Sequence, residues 1–201
     1  YVFCTPTALV AGNLVQARAE NTAHQNRTVG TAAAIGATVV EFSLGASAAN
    51  ANIYAGGLLI VTTTPGNGYG YLIKSHAAVA SSGAMICNLE DPIEVALTTS
   101  SVVDLVQGSH NGVIQFPTTA TSGPVGVAID VISAGRYGWI QSHGPCAVLA
   151  DTALSVGRQV ESSTAVAGAV RHVSGSPTSV VGYALTGVAD TENGAVYLTI
   201  D

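Results

Sequence analysis

The chain has 201 residues, only 9% of them charged, with six Lys and Arg against twelve Asp and Glu and a formal net charge of −6. An average soluble domain carries about 25% charged residues, so a surface this poor in charge is expected to be covered by neighbours in an assembly, with an uncharged extracellular β-domain as the alternative. The basic residues Arg18, Arg27, Lys74, Arg136, Arg158 and Arg171 are scattered, which excludes the clustered cations that binding to a phosphate backbone needs.

Residues 1–57 have the weakest periodicity. Asn13–Glu20 alternates loosely, Asn21–Thr28 reads as a polar loop, and Thr38–Leu44 alternates with β-branched and aromatic residues, as a half-buried strand does. The Ala-rich pieces Thr31–Ala37 and Ala46–Ala51 are interrupted by Gly, Ser and Asn, which argues against helix. Connections this long are expected to lie on something else, so residues 1–57 read as an N-terminal arm with one or two strands.

Residues 58–120 read as a first β unit. Leu58–Thr63 is a short apolar run ended by Pro65-Gly66-Asn67-Gly68, and Asn-Gly between two such runs is a strong hairpin signal. Tyr69–Ser75 returns, followed by Ala84–Leu89, Ile93–Leu97, Val102–Val106 and Val113–Phe116. Thr118–Gly123 is a Thr/Ser/Gly connector, which places the boundary there. Residues 121–201 then hold Val125–Ile129, a turn at Ser133–Gly135, Tyr137–Ser142, Ala147–Ala150, Val156–Val160, Val166–Val173, Ser179–Leu185 and Ala195–Ile200. Short strands spaced by Gly, Ser or Pro predict a second β-barrel or sandwich unit. The fold class expected is mainly β: two small antiparallel β-sandwich or barrel units preceded by an extended arm.

An internal echo links Tyr69-Gly70-Tyr71-Leu72-Ile73-Lys74-Ser75-His76 to Tyr137-Gly138-Trp139-Ile140-Gln141-Ser142-His143, with one extra residue in the first copy. Each runs on to a Leu-x-Asp, at Asp91 and Asp151. Two copies suggest two units on one hairpin plan, with His76 and His143 doing equivalent structural jobs at strand ends.

No motif carries chemistry. Gly66–Gly70 lacks the following helix or Gly-Lys-Ser/Thr of a phosphate loop and reads as a turn. His24, His76, His110, His143 and His172 have no metal-ligand spacing, so neither a metal nor a cofactor is expected; a site shared by His76 and His143, or one completed on a symmetry axis, stays open. Ser142, His143 and Asp151 are the residue types of a hydrolytic triad, but adjacent strand residues face opposite ways. Glu90, Asp91 and Glu94 flank a Pro turn and read as solvated rather than as a glycosidase pair. Asn26-Arg27-Thr28 is a glycosylation sequon in form only. Cys4, Cys87 and Cys146 read as small buried thiols, with one bridge and a leftover thiol as the other reading. Tyr69, Tyr71, Tyr137, Trp139, Tyr183 and Tyr197 suit a core or a subunit interface; a sugar-binding platform is the alternative. No 20-residue apolar run spans a membrane, and no basic cluster ahead of an apolar core marks a signal peptide.

The stretch Gly123–Ala128, Arg136–Gln141, Gly144, Val148–Ala150 and Gly157 resembles tailed-bacteriophage virion proteins, in which a PVGVA-like strand and a YGW-I/V-Q strand precede an L-A strand and a glycine-bearing turn. Tyr54–Gly57, Ile73–Ser75 and Leu89–Pro92 look like the same group. The resemblance covers about residues 54–160, does not reach 1–53, and is to capsid decoration (cement) proteins. It implies a non-enzymatic protein on the capsid surface of the virion that bridges neighbouring capsid subunits, with the major capsid protein as partner and a homo-oligomer, a trimer favoured. It implies no catalytic residues. A tail-fibre or surface adhesion module that binds host glycans through Tyr and Trp is the competing expectation.

Overall fold

The computed structural model describes residues 2–4, 7–175, 177 and 179–200. It is nearly all β, with 44% of residues in strands and 2% in helix, as the alternating pattern predicts. In chain order the strands are β1 (Val2–Cys4), β2 (Leu14–Gln16), β3 (Arg27–Thr31), β4 (Val39–Ser43), β5 (Leu58–Val61), β6 (Gly70–Ser75), β7 (Ala84–Leu89), β8 (Val102–Val106) and β9 (Asn111–Gln115). They continue with β10 (Pro124–Ala128), β11 (Tyr137–Gly138), β12 (Ile140–Gln141), β13 (His143–Leu149), β14 (Gln159–Ser162), β15 (Val170–His172), β16 (Val180–Ala184) and β17 (Asn193–Thr199).

The chain divides into two compact units, one made of residues Tyr1–Ala19 and Ser109–Asp201, the other of Glu20–Gly108. The second is therefore inserted into the first. Residues 1–57 are not an arm. Their first nineteen residues supply β1 and β2 to one unit and the rest supply β3 and β4 to the other. The boundary expected at Thr118–Gly123 falls instead between Gly108 and Ser109, because β9 pairs with β1 and β2 rather than with the strands before it.

The inserted unit is a closed barrel in the order β3-β4-β7-β6-β5-β8, with β8 returning to β3. Closure removes the free edges that an open sheet would present. Alternation sorts its side chains: Val40 and Phe42, Tyr71 and Ile73, Met85, Cys87 and Leu89, and Val103 and Leu105 point inward and are buried, while their neighbours face out. The Ala-rich segments belong to this unit. They hold the bridges Ala33–Leu97 and Ala49–Val79, so the long connections are pinned to the barrel. Ile93–Leu97, expected as a strand, keeps only its bridge at Leu97.

The first unit contains a six-stranded sheet, β11-β1-β9-β2-β10-β12, and a five-stranded sheet, β13-β17-β16-β14-β15. Both ends of the six-stranded sheet belong to the one segment Tyr137–Gln141. Its first part pairs with β1 and its last with β10, so the sheet curls into a ring. Val2, Cys4, Val15, Val113, Val125, Ala128 and Ile132 form one core, and Leu14, Val127, Val148, Val160, Val181, Val196 and Leu198 another. Leu14 and Val15 go to different cores, which is why all three residues of β2 are buried. The buried Gln16 is satisfied: its Nε2 donates to Thr121 Oγ1 at 2.6 Å.

One local device recurs in both units. Leu9–Ile132, Leu154–Val188, Ala33–Leu97 and Ala49–Val79 are isolated antiparallel bridges. After each of the eight bridge residues comes a four-residue turn closed by a backbone hydrogen bond, such as Asn13 N–H to Val10 C=O at 3.2 Å and Ser101 N–H to Thr98 C=O at 2.9 Å. A strand begins within two residues of seven of these turns, and after Asn50–Ile53 a second turn, Tyr54–Gly57, comes before β5. The third residue of the turn has positive φ in seven of the eight, at Gly12, Gly36, Asn52, Ser82, Gly135, Gly157 and Thr191, the signature of a type II turn.

Candidate interaction surfaces

The histidines are built into the structure in different ways. His24 Nε2 donates to the Ser47 carbonyl at 3.0 Å, and its Nδ1 accepts from the Tyr54 hydroxyl. Tyr54 N–H donates to His76 Nε2 at 3.1 Å, and His76 Nδ1 donates to the Ala77 carbonyl at 2.8 Å. All four ring nitrogens of these two buried imidazoles are engaged, so they tie the segment around Tyr54 to the barrel and leave no ring nitrogen for a ligand. Burial pushes the His76 imidazole below its ordinary value, opposed by the Ala77 hydrogen bond and reinforced by His24. His143 is exposed instead, edge-on to the Tyr197 ring with centroids 5.5 Å apart. The two histidines of the echo therefore do different jobs, as do Tyr71, which is buried, and Trp139, which is exposed. His110 sits beside Ser109 Oγ at 3.0 Å, and His172 Nε2 accepts from Ser155 N–H at 2.8 Å.

The other sequence candidates are also structural. Asp151 accepts from Ser163 Oγ at 2.5 Å, while His143 stands on Tyr197, so Ser142, His143 and Asp151 are not a relay. Glu90 lies 3.8 Å from Lys74 with both side chains solvated. Among the described residues no group of three His, Cys, Asp or Glu could hold a metal ion. Cys4, Cys87 and Cys146 are free and buried, and burial raises all three thiols, that of Cys87 to about 12.

A concavity of about 390 Å³ lies between β10 and the edge strand β13. Gln141 and Asn193 line it beside alanine, glycine and proline, and Gln141 Nε2 is already committed to the His143 and Pro145 carbonyls at 2.9 and 2.8 Å. Its one titratable lining group is the raised thiol of Cys146. Nothing in that lining can act as an acid or base near neutral pH.

The aromatics sort into packed pairs and one open surface. Tyr69 and Tyr71 are stacked, with centroids 6.2 Å apart and planes 13° apart, and the Tyr71 hydroxyl accepts from Glu94 N–H at 3.3 Å. Tyr183 and Tyr197 sit opposite each other on β16 and β17 and stack at 5.2 Å and 10°. Each ring in these pairs spends a face on its neighbour.

The hairpin that leaves β10 and returns through β11 and β12 is different. Its inward residues are Ala128 and Ile132, both buried. Ile129 and Val131 on the outgoing arm and Tyr137 and Trp139 on the returning arm are exposed, and so are Asp130 and Arg136 beside them. Val10, next to the Leu9–Ile132 bridge, joins them, and the five are 52–64% exposed. The Tyr137 ring leans on Phe3 at 4.9 Å. The barrel has a smaller counterpart: Leu58 is the direct partner of both Leu72 and Val106, and this row across β6, β5 and β8 is 40–42% exposed.

No protein-family model, curated protein or solved structure matches this chain.

Proposed function

We propose that the chain is a non-enzymatic structural protein of a tailed-phage virion, decorating the capsid surface and stabilising it by bridging neighbouring capsid subunits as a homo-oligomer. One observation carries this reading: each of the two units presents an exposed apolar surface, in a chain with only 9% charged residues. Exposed apolar patches beyond the ordinary scatter mark sites that another protein covers, and a bridging protein needs more than one of them. The resemblance of residues 54–160 to decoration proteins supplies the partner, the major capsid protein. The barrel row Leu72–Leu58–Val106 is the surface assigned to the shell. Stabilisation follows by mass action, because a ligand that binds only the assembled shell raises the cost of taking it apart.

The test is co-sedimentation of the purified chain with empty shells of the major capsid protein, followed by thermal unfolding of the loaded shells. The wild-type chain should pellet with the shells and raise their melting temperature. Leu58→Asp should weaken binding tenfold or more, since a desolvated unpaired charge costs at least about 1.4 kcal/mol. A wild-type chain that stays in the supernatant at every concentration removes the reading. The exposure of Tyr137 and Trp139 keeps a glycan-binding adhesion module as the second reading, and glycan binding that is lost on Trp139→Ala in a folded protein would favour it.

A further inference from the structure

We infer that the hairpin Ile129–Trp139 is a self-association surface, and that what covers it is the same hairpin of a second copy, related by a two-fold axis. This inference does not depend on the shell.

Two features single out a second copy as the occupant. The first is area. Val10, Ile129, Val131, Tyr137 and Trp139, each more than half exposed, present on the order of 500 Å² of apolar surface, at the upper end of what a monomer leaves open. Two such faces in contact remove roughly 1,000 Å², the lower limit for a specific interface. The aromatic anchors fit the composition of interface centres, where Tyr and Trp are enriched and charges depleted.

The second feature is charge. The chain as a whole has twice as many acids as bases, so most of its surface repels a second copy. This hairpin is locally neutral. It carries one acid, Asp130, on the outgoing arm and one base, Arg136, on the returning arm, both exposed. A two-fold contact is isologous, each residue meeting its complement on the partner. An antiparallel approach of two hairpins sets Arg136 of each copy beside Asp130 of the other, twice per interface, around an apolar centre. The turn between the arms, Ser133–Arg136, holds Ala134 and Gly135, and such small side chains let two backbones come close. The resemblance favours a trimer; the hairpin itself is self-complementary under two-fold symmetry.

The experiment is sedimentation velocity on the purified full chain over a wide concentration range, with circular dichroism on every variant to verify folding. The expected species has twice the 20.1 kDa chain mass. Trp139→Asp, at an exposed position, should weaken association at least about thirtyfold, the range of an interface hot spot. Asp130→Arg alone and Arg136→Asp alone should each weaken it by placing like charges together. The double variant Asp130→Arg/Arg136→Asp should restore it to within a few-fold of wild type. A monomer at all concentrations, a species of three times the chain mass, a dimer indifferent to Trp139→Asp, or a double variant no better than the singles would each overturn the inference. A dimer that does not pellet with shells would leave it standing and remove the shell reading instead.

Discussion

Tyr54 shows how single residues hold this fold. Its backbone N–H and hydroxyl engage His76 and His24, and His76 Nε2 must stay unprotonated to accept that N–H. Burial holds His76 below the ordinary value of about 6.5, so the unfolded chain takes up that proton first. The stability it contributes is therefore complete above about pH 6.5 and declines as pH falls below it, towards the lower folded value, by at most about 1.4 kcal/mol per pH unit. Urea midpoints measured from pH 7.5 down to 5 should fall accordingly, and His76→Gln should flatten the slope. The thiols give a second expectation: native protein should resist an aromatic disulfide reagent at pH 8, and three thiols should titrate after denaturation. Steric limits give a third. A Cβ on Gly182 would stand 1.9 Å from the Tyr197 carbonyl oxygen at φ +156, so Gly182→Ala should lower stability by about 3 kcal/mol in denaturant unfolding.

At the scale of elements, the bridge-and-turn device marks where seven of the strands begin. Gly157 has φ +80 with open space around its missing Cβ, so Gly157→Ala isolates the backbone cost and should lower the unfolding free energy by about 1 kcal/mol. The same device shows what could be read in the sequence. An apolar residue three before glycine occurs at Leu9–Gly12, Ala33–Gly36, Ile132–Gly135 and Leu154–Gly157, a signal present but masked, because the other turns fill the positive-φ place with Asn52, Ser82 and Thr191 or do without it. The echo of Tyr69–His76 in Tyr137–His143 was more visible and misled: Tyr71 is core and Trp139 surface, since one copy runs as a single strand and the other is split into β11 and β12. Strands with clean alternation, β6, β7 and β8, fall within a residue of where the pattern puts them. β1 and β3 were hidden, one being three residues long and the other lying in Arg-Thr-Val-Gly-Thr, half of it inside a polar run. The hairpin surface was legible only as residue types. The Tyr/Trp pairing at i, i+2 marks a shared strand face, but whether that face is core or solvent depends on the partner strand.

At the scale of the molecule, the insertion decides which pieces can stand alone. All six strands of the barrel lie within Glu20–Gly108. That segment, expressed alone, should give dispersed amide resonances and a cooperative melt. Residues 109–201 alone should not. In the six-stranded sheet β9 lies between β1 and β2, so losing residues 1–19 strips β9 of both partners and opens the core around Val15 and Val113. Adding a peptide of residues 1–19 in trans should recover structure, read as the return of amide dispersion.

The ring closed by Tyr137–Gln141 has a counterpart in time. β1 and β2 leave the ribosome well before their partners β9 and β10, which come only after the whole of Glu20–Gly108. At 5–20 residues per second that delay is on the order of 5–20 s, long enough for the barrel to finish folding. During it, two short apolar strands wait without hydrogen-bond partners. Translation speed and chaperone capture of these waiting strands, rather than the thermodynamics of the finished chain, should then govern how much of this protein reaches its native state.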